Sequence, residues 1–253
     1  MFTKMIKRFL TPEMRDFLHD TRSLFNRISG IDIHSYGLYH SIARRNLLLA
    51  VNNINMVLDV GANRGQFGGQ IRRAGYKKLL HSFEPLSSAY SLLEKKCKKD
   101  ILWIPHHYAL GDFDGRSVIH VSNNSQSSSM LNMTSAHTSA DSSSKFIKDE
   151  EIEVKRLDSI FQELYSPEKN VFLKLDAQGL EDKIIVGALK SLPFIPFVQA
   201  ELSFVTLYQG ETLFMEFMSK MESLGYRIVF IEQGFSDKNT GFGLQCDVIF
   251  YKK

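Results

Sequence analysis

Short apolar runs alternate with segments of helical periodicity through most of this 253-residue chain. Short runs of mainly apolar residues are typical of strands buried on both faces of a parallel sheet. The clearest runs are Met56 to Val60, Leu79 to Phe83, Val171 to Asp176 and Phe197 to Ser203. A helical segment follows each of them, which indicates repeated strand–helix–strand units. The pattern therefore predicts an α/β fold with a doubly wound, mostly parallel sheet of about seven strands.

The remaining elements are predicted from alternation, helical spacing and turn residues. Further strands are predicted at Ile101 to Leu110, Arg116 to Val121, Ile152 to Leu157, Tyr226 to Glu232 and Leu244 to Tyr251. Helices are predicted at Gln66 to Ala74, Ser87 to Lys99, Asp158 (as the cap) to Tyr165, Glu181 to Leu192 and Phe214 to Leu224. Gly234 to Gly243 suits a tight return, so the last strand is predicted to be antiparallel.

Residues 1–54 are predicted to form a helical extension ahead of a single domain over residues 55–253. Pro12 follows Thr11, a favourable helix start, and residues 12–28 carry one apolar face. That face can pack on the sheet or over the ligand site, dock on a membrane with the basic first ten residues, or form a homodimer contact. Residues 40–53 are predicted to form a second helix. His34, Tyr36 and Tyr39, between the two helices, are candidates for contact with a ligand.

Residues 122–145 are dominated by Ser, Thr, Asn and Ala. Such a composition is expected to bury little surface and to be mobile without a ligand. We interpret the segment as a loop insertion in the domain over residues 55–253. It either links two parts of the chain or covers the active site, and Met130, Leu131 and Met133 offer an apolar patch that favours the second interpretation.

Composition and charge narrow the class of protein. The formal net charge is +3, but residues 1–55 hold eight Lys and Arg against four Asp and Glu, which leaves the remainder nearly neutral. A nucleic-acid partner would require a basic binding face, so none is expected. The longest apolar runs are too short to span a membrane, and no signal peptide is visible. With only Cys97 and Cys246, the chain is expected to be a cytoplasmic protein with reduced thiols.

The turn after the first apolar run carries the strongest chemical signal. Asp59 ends the run, and Gly61, Asn63, Gly65 and Phe67 follow at alternate positions. Glycines there suit a backbone that passes close to a ligand at the carboxyl end of a strand. The dinucleotide fingerprint G-x-G-x-x-G would need two further glycines that this turn lacks. A nicotinamide cofactor is therefore disfavoured.

A second acidic residue ends the next predicted strand, where Glu84 precedes Pro85. A carboxylate at that position can accept hydrogen bonds from ribose hydroxyls. The D-x-G-x-N-x-G turn and the F-E-P strand end together resemble the class I S-adenosylmethionine methyltransferases, and more narrowly the FkbM family. Further stretches resemble the same family in order over about residues 55–253: Ala109 to Asp112, Leu173 to Glu181, Glu201 to Phe204, Leu207 with Tyr208, and Cys246 to Phe250. His107 stands where the family usually has Asn.

The resemblance implies a Rossmann-like fold, S-adenosylmethionine as cofactor, and a set of site residues. The residues implied to hold the cofactor are Asp59, Gly61, Asn63, Gly65, Phe67, Glu84, Pro85, Ala109, Leu110 and Asp176. The strand-end residues Asp176, Glu201 and Lys174 are catalytic candidates, because buried charges are unusual unless they are paired or functional. Their alternative role is a mutual ion pair. Asp176 and Glu201 could also share one Mg²⁺, but no third ligand is evident and no metal site is predicted.

The function predicted from the sequence is transfer of a methyl group from S-adenosylmethionine to a hydroxyl group. The resemblance implies a small-molecule or glycan acceptor: a sugar, a glycan or a secondary-metabolite precursor in polysaccharide biosynthesis or related chemistry. Two alternatives from other classes are a non-catalytic cofactor-binding or scaffold protein and a nicotinamide-dependent oxidoreductase. The identity of the acceptor is not encoded in any motif we can interpret.

Overall fold

The computed structural model describes residues 11–29 and 41–253. The chain divides into two compact units, Met1–Arg44 and Arg45–Lys253. The ligand candidates His34, Tyr36 and Tyr39, and the basic first ten residues, lie outside the described residues. In the described part no helix is long and apolar enough to cross a membrane.

Eight α-helices are present in the described residues. They are α1 Pro12–Ser29, α2 Ser41–Val51, α3 Gln66–Arg73, α4 Ser87–Cys97, α5 Ser135–Ala140, α6 Leu157–Leu164, α7 Glu181–Val186 and α8 Phe214–Ser223. Helix α1 begins at the predicted Pro12, and its first turn is capped by Thr11, whose Oγ1 accepts a hydrogen bond from the Met14 amide at 3.3 Å. The uses predicted for this helix stay predictions.

Ten strands are present in the same residues. They are β1 Met56–Val60, β2 Leu79–Phe83, β3 Trp103–His106, β4 Ala109–Leu110, β5 Gly115–Ser122, β6 Phe146–Lys155, β7 Val171–Leu175, β8 Phe197–Ser203, β9 Arg227–Gln233 and β10 Gln245–Tyr251. Seven of them form one sheet in the order β3-β2-β1-β7-β8-β10-β9. All neighbours from β3 to β8 are parallel, while β10 runs antiparallel to both β8 and β9. The predicted doubly wound sheet with an antiparallel last strand is confirmed.

The strand order explains which runs were easy to recognise. Strands β1 and β7 lie in the middle of the sheet, and every residue in both is buried. Helices cover both faces of such strands, so their sequences are continuously apolar. Strand β9 lies at the edge, and most of its residues are exposed or partly exposed. Strands β1 to β3 are added towards one edge of the sheet, and β7 and the later strands lie on the other side of β1. The boundary between β1 and β7 is therefore a topological switch point, where ligands bind in open α/β sheets.

The prediction of a single strand from Ile101 to Leu110 is wrong, because the structure has two strands there. The stretch divides into β3, which pairs with β2 in the main sheet, and β4, which pairs with β6 in a second sheet of order β4-β6-β5. The strand predicted at 116–121 is β5 of this second sheet. The strand predicted at 152–157 is wrong in extent: β6 runs from Phe146 to Lys155, and Leu157 begins helix α6. Asp158 does not cap its own helix as predicted; its carboxylate accepts hydrogen bonds from the backbone amides of Lys190 and Ser191.

The Ser-rich segment is folded onto the domain, so the expectation that it buries little surface is wrong. Ser127, Ser128, Ser129, Ser144 and His137 are buried. The serine side chains can be buried because their hydroxyl groups form hydrogen bonds with one another and with the backbone. Ser127 Oγ and Ser144 Oγ lie 3.1 Å apart, and the backbone N–H of Ser122 donates to Ser128 Oγ at 3.0 Å.

The apolar residues of the Ser-rich segment do not form one free patch. Leu131 and Met133 pack with the buried residues Leu207, Tyr208 and Leu244, whereas Met130 packs on the core beneath the second sheet. The segment is therefore divided between two cores. The expected shared apolar surface is corrected to two separate anchoring contacts.

One face of helix α3 is closed by the single tryptophan. Trp103 is 6% exposed, and a β-carbon added to Gly68 would lie 2.3 Å from its ring. The neighbouring Gly69 faces elsewhere, and its nearest contact would be 3.4 Å away, at the end of the flexible Arg73 side chain. Adjacent glycines of one helix thus meet opposite packing constraints.

This contrast predicts opposite effects for two alanine substitutions. Gly68→Ala should destabilise the fold by about 1–3 kcal/mol, because the methyl group overpacks against Trp103. Gly69→Ala should stabilise it by about 0.5–1 kcal/mol, because alanine is the better helix former. Chemical denaturation of both variants beside the parent protein measures the two changes. A stable Gly68→Ala protein would show that the tryptophan is not packed against α3 as described.

Candidate functional site

The loop after β1 crosses the end of β7, and that crossing requires its glycines. Gly61 has φ 72°, and a β-carbon there would lie 1.7 Å from the backbone oxygen of Asp176. Gly65 has φ 71°, and its β-carbon would come within 2.9 Å of Leu93 and 3.0 Å of Trp103. Both glycines therefore have the left-handed backbone conformation that favours glycine. A passing ligand, the other reason expected from the sequence, is not needed to explain them.

A buried ammonium group joins the two strands at the switch point. Lys174 Nζ lies 3.3 Å from Asp59 Oδ1 and 3.1 Å from Asp176 Oδ2. Burial alone lowers the pKa of Lys174, but the charges of Asp176 and Asp59 outweigh burial and raise that pKa above its ordinary value. Lys174 therefore stays protonated. Of the mutual ion pair considered from the sequence, the contact between Lys174 and Asp176 is present, and Asp59 is a further member. Glu201 forms no ion pair with Lys174 in the described residues.

Asp59 faces the interior and is 0% exposed. Its Oδ2 accepts a hydrogen bond from Ser82 Oγ at 3.1 Å, and Ser82 Oγ accepts one from Trp103 Nε1 at 2.9 Å. The ring of Phe67, in the first turn of α3, lies 5.5 Å from Lys174 Nζ. Asp59 and Phe67 thus form the surroundings of the ammonium group. Their predicted contact with a cofactor stays a prediction.

Glu84 follows β2 and holds the loop after β1. Its Oε2 accepts a hydrogen bond from the backbone N–H of Asn63 at 2.7 Å. Its Oε1 accepts one from the backbone N–H of Leu86, the residue after Pro85, at 2.9 Å. Burial raises the pKa of Glu84 to about 7, although the two amides act in the opposite direction. Each carboxylate oxygen keeps a further lone pair that can accept a hydrogen bond.

Two carboxylates meet at the ends of β7 and β8. Gln178 Nε2 donates to Asp176 Oδ1 and to Glu201 Oε2, both at 2.9 Å, and Gln245 Nε2 donates to the same Glu201 oxygen at 3.2 Å. The Asp176 side chain is 36% exposed, unlike its partner Lys174 at 6%. The catalytic candidates Asp176, Glu201 and Lys174 are thus brought together, with Asp176 the member most open to solvent.

Ala109 and Leu110, which the family resemblance implies to hold the cofactor, form strand β4. Ala109 and Leu110 are buried in separate core clusters, so a ligand would meet their backbone more readily than their side chains. His107 is exposed and stacks on Tyr90, with ring centroids 4.3 Å apart. No group of three or more His, Cys, Asp or Glu side chains in residues 11–29 and 41–253 is arranged to hold a metal ion.

Comparison with known proteins decides the family. The model of the FkbM methyltransferase domain matches residues 59–228, about two thirds of the chain. The chain belongs to the FkbM methyltransferase family. A search of curated proteins finds no significant match.

Solved structures that this FkbM protein resembles include two methyltransferases. Magnesium protoporphyrin IX methyltransferase from Synechocystis, with bound S-adenosylmethionine, has 8% identity and a TM-score of 0.46, over 84% of this chain and 78% of the other. An rRNA methylase from Streptococcus thermophilus has 11% identity and a TM-score of 0.44, over 84% and 96%. Neither likeness is close enough to indicate the acceptor of this chain.

As an FkbM methyltransferase, the protein uses S-adenosylmethionine as its methyl donor. The residues present fit that molecule. Glu84 offers acceptor oxygens for ribose hydroxyls at the end of β2, and the loop from Gly61 to Gly65 lies beside it at the carboxyl edge of the sheet. This is the edge at which α/β folds bind nucleotides.

Several residues of the site were not singled out by sequence reasoning. Gln178 bridges the two carboxylates, and Tyr208 Oη donates to Gln178 Oε1 at 2.8 Å. Ser125 Oγ accepts from Asn63 Nδ2 at 3.2 Å, and Ser129 Oγ donates to the Gln178 carbonyl at 2.7 Å. The Ser-rich segment therefore contacts both loops of the site. Gln178 and Tyr208 lie in the family-like stretches, but no local pattern shows that they meet.

The raised pKa of Glu84 predicts how cofactor binding depends on pH. Ribose hydroxyls donate more strongly to the ionised carboxylate, which is scarce below pH 7 and dominant above it. Affinity for S-adenosylmethionine should therefore rise about tenfold from pH 6 to pH 8, in proportion to the ionised fraction. Glu84→Ala should weaken binding by about 1.5–3 kcal/mol and remove this pH dependence.

Calorimetric titration at both pH values measures these effects. Glu94→Ala, in the exposed part of α4, is the control, and the ligand's own titration is common to all three proteins. Equal affinity and pH dependence in Glu84→Ala and the parent protein would contradict the ribose role.

Proposed function

We propose that this FkbM methyltransferase methylates a hydroxyl group on a small molecule or glycan: a sugar, a glycan or a secondary-metabolite precursor. The observation that carries the proposal is the Asp176 carboxylate. It is partly exposed beside the loop after β1, while its two oxygens are held by Lys174 and Gln178. A fixed carboxylate at that edge can orient a hydroxyl group and accept its proton.

S-adenosylmethionine, when bound, supplies an electrophilic methyl group. Glu84 would hold its ribose hydroxyls. The loop residues Gly61, Asn63 and Gly65 would contact its methionine and ribose parts, with Asp59 and Phe67 behind the loop. Backbone atoms of Pro85, Ala109 and Leu110 would border its adenine. These assignments follow the family resemblance. The positions of Glu84 and of the loop from Gly61 to Gly65, at the carboxyl ends of β2 and β1, support them, whereas Ala109 and Leu110 belong to β4 of the second sheet.

The chemistry constrains how Asp176 acts. An alcohol lies roughly eight or more pKa units above a carboxylic acid, so full ionisation of the acceptor before transfer would cost on the order of 10 kcal/mol. Asp176 would therefore orient the hydroxyl and take its proton during the transfer rather than before it. Lys174 holds one oxygen of Asp176 in place, and Glu201 lies beside it, where it can contact a second hydroxyl group of the acceptor.

The near-neutral charge of residues 56–253, with 23 basic and 24 acidic side chains, supports an uncharged, lipid-linked or nucleotide-linked small acceptor rather than a nucleic acid. Family membership removes the nicotinamide oxidoreductase and the cofactor-binding scaffold from consideration. The predicted cytoplasmic location and the homodimer through the N-terminal helices stay predictions.

A screen of acceptors tests the proposed chemistry. Purified protein is incubated with S-adenosylmethionine and panels of nucleotide sugars, oligosaccharides and small alcohols, and a gain of one methyl group is detected by mass spectrometry. We expect a methyl ether as the product. Methylation of an amine or a carboxylate, with every hydroxyl acceptor inert, would overturn the proposal.

Asp176→Asn separates a catalytic role from a structural one. Turnover should fall by roughly 10² to 10⁴, the scale of general acid–base assistance, while affinity for S-adenosylmethionine changes only a few-fold. Stability should change little, because Lys174 keeps Asp59 as its partner. Kinetics, calorimetry and thermal unfolding are measured on the same protein.

Asp182→Asn is the matched control, since it removes an ion pair with Lys220 outside the site. A parallel loss of melting temperature and activity in Asp176→Asn would instead indicate a purely structural ion pair.

A further inference from the structure

Gln178 has a backbone conformation that non-glycine residues rarely adopt. Its φ is 54°, next to Gly179 in the loop that follows β7. This left-handed conformation costs a non-glycine residue free energy and persists only where the surroundings hold it. Here Ser129 Oγ donates to the Gln178 carbonyl at 2.7 Å, which fixes the backbone from the Ser-rich segment.

The side-chain amide of Gln178 uses every one of its hydrogen-bonding groups. One NH₂ group has two hydrogens, which meet Asp176 Oδ1 and Glu201 Oε2, each at 2.9 Å. Its oxygen lies 2.8 Å from Tyr208 Oη, whose single proton also has the Ser127 carbonyl as an acceptor at 3.1 Å; the shorter contact is the one to Gln178. The reversed amide would place its oxygen against two carboxylates. These two partners therefore determine its orientation.

The charges around Glu201 explain why such a donor is needed. Asp176, Asp247 of β10 and Glu181 of α7 repel its negative charge, and Lys174 is the cation that acts against them. Burial is the main cause that raises the pKa of Glu201 well above its ordinary value. Two neutral amides, those of Gln178 and Gln245, act in the opposite direction by donating hydrogen bonds to Oε2.

The same contacts leave one side of the carboxylate pair free. Both donors to Glu201 meet Oε2, and Oε1 has no hydrogen-bond partner among the described residues. Asp176 is partly exposed at the same edge of the sheet. The Gln178 amide thus holds one oxygen of each carboxylate, and the remaining lone pairs of both carboxylates stay available to a ligand.

We propose that Gln178 is a positioning residue: its amide holds Asp176 and Glu201 as one pair facing the methyl acceptor, and Tyr208 fixes the amide. The inference rests on the proposed function, because it assigns the pair to the acceptor side. Gln178 acts through the carboxylates and does not itself contact the acceptor. Tyr208 is buried with 0% exposure and orients Gln178 through one hydroxyl group.

Two variants remove the network with little change in shape. Gln178→Met keeps an unbranched side chain of similar length without the amide, and Tyr208→Phe removes only the hydroxyl. Gln209→Met, at an exposed position, and Tyr226→Phe are the matched controls. Tyr226 is 3% exposed and its hydroxyl donates to the Leu192 and Ile195 carbonyls, so its loss tests a buried hydroxyl far from the pair.

The first measurement needs neither cofactor nor acceptor. Carboxyl ¹³C NMR follows the titration of Glu201, assigned with Glu201→Gln. Loss of the Gln178 donor should move this titration upward by about one pH unit, because a hydrogen bond to the ionised form lowers a pKa. Tyr208→Phe should shift it in the same direction, and both controls should leave it unchanged. An unchanged titration in Gln178→Met would overturn the proposal.

The second measurement uses an acceptor found in the screen. Gln178→Met should lower kcat about 10- to 100-fold, with KM for S-adenosylmethionine changed less than threefold. Equal losses in Tyr208→Phe and Tyr226→Phe would mean that lost stability explains the effect, and would overturn the positioning role. If the parent protein methylates no hydroxyl acceptor, the proposed function fails, and the NMR titration still decides whether Gln178 holds the pair.

Discussion

The arrangement of the site depends on one buried cation. Lys174 lies between Asp59 and Asp176 and so joins the ends of β1 and β7, where the order of the sheet reverses. An isolated buried ammonium group would be very costly, and a carboxylate at full burial would be equally so. When the ammonium group and the carboxylates are buried together, their attraction offsets the cost of burying each charge. This contact also fixes the loops that follow β1 and β7. The position of Asp176 is therefore a consequence of charge balance in the core as much as of the fold.

Around this cation, the loops are held by side chains that bond backbone amides. Glu84 accepts the Asn63 amide of the loop after β1, and Glu181 accepts the amides of Ala177 and Gly179 in the loop after β7. Both loops contain non-glycine residues with positive φ. Backbone strain of this kind is typical of functional sites, where the surrounding structure compensates for it. The two loops consequently present fixed polar groups at the sheet edge.

The Ser-rich segment shows how composition can mislead. Its serines are short enough to be buried when their hydroxyl groups bond one another and the backbone, so polarity did not mean exposure. The second sheet was missed for a related reason: β4 is only two residues long and is defined by its pairing with β6. Pairing between distant segments leaves no local signal in either of them.

The sequence by itself determined the class of fold, the central strands and the acids at their ends. Strands such as β1 and β7 are buried on both faces and therefore apolar throughout, and the turn after β1 needs glycine where the backbone crosses β7. Only the tertiary structure decided which side chains meet. Asp59 turned inward to Lys174, and Gln178 came between Asp176 and Glu201. Those contacts join strands far apart in the chain, and charge balance and hydrogen-bond satisfaction in the interior are properties of the packed whole rather than of any local pattern.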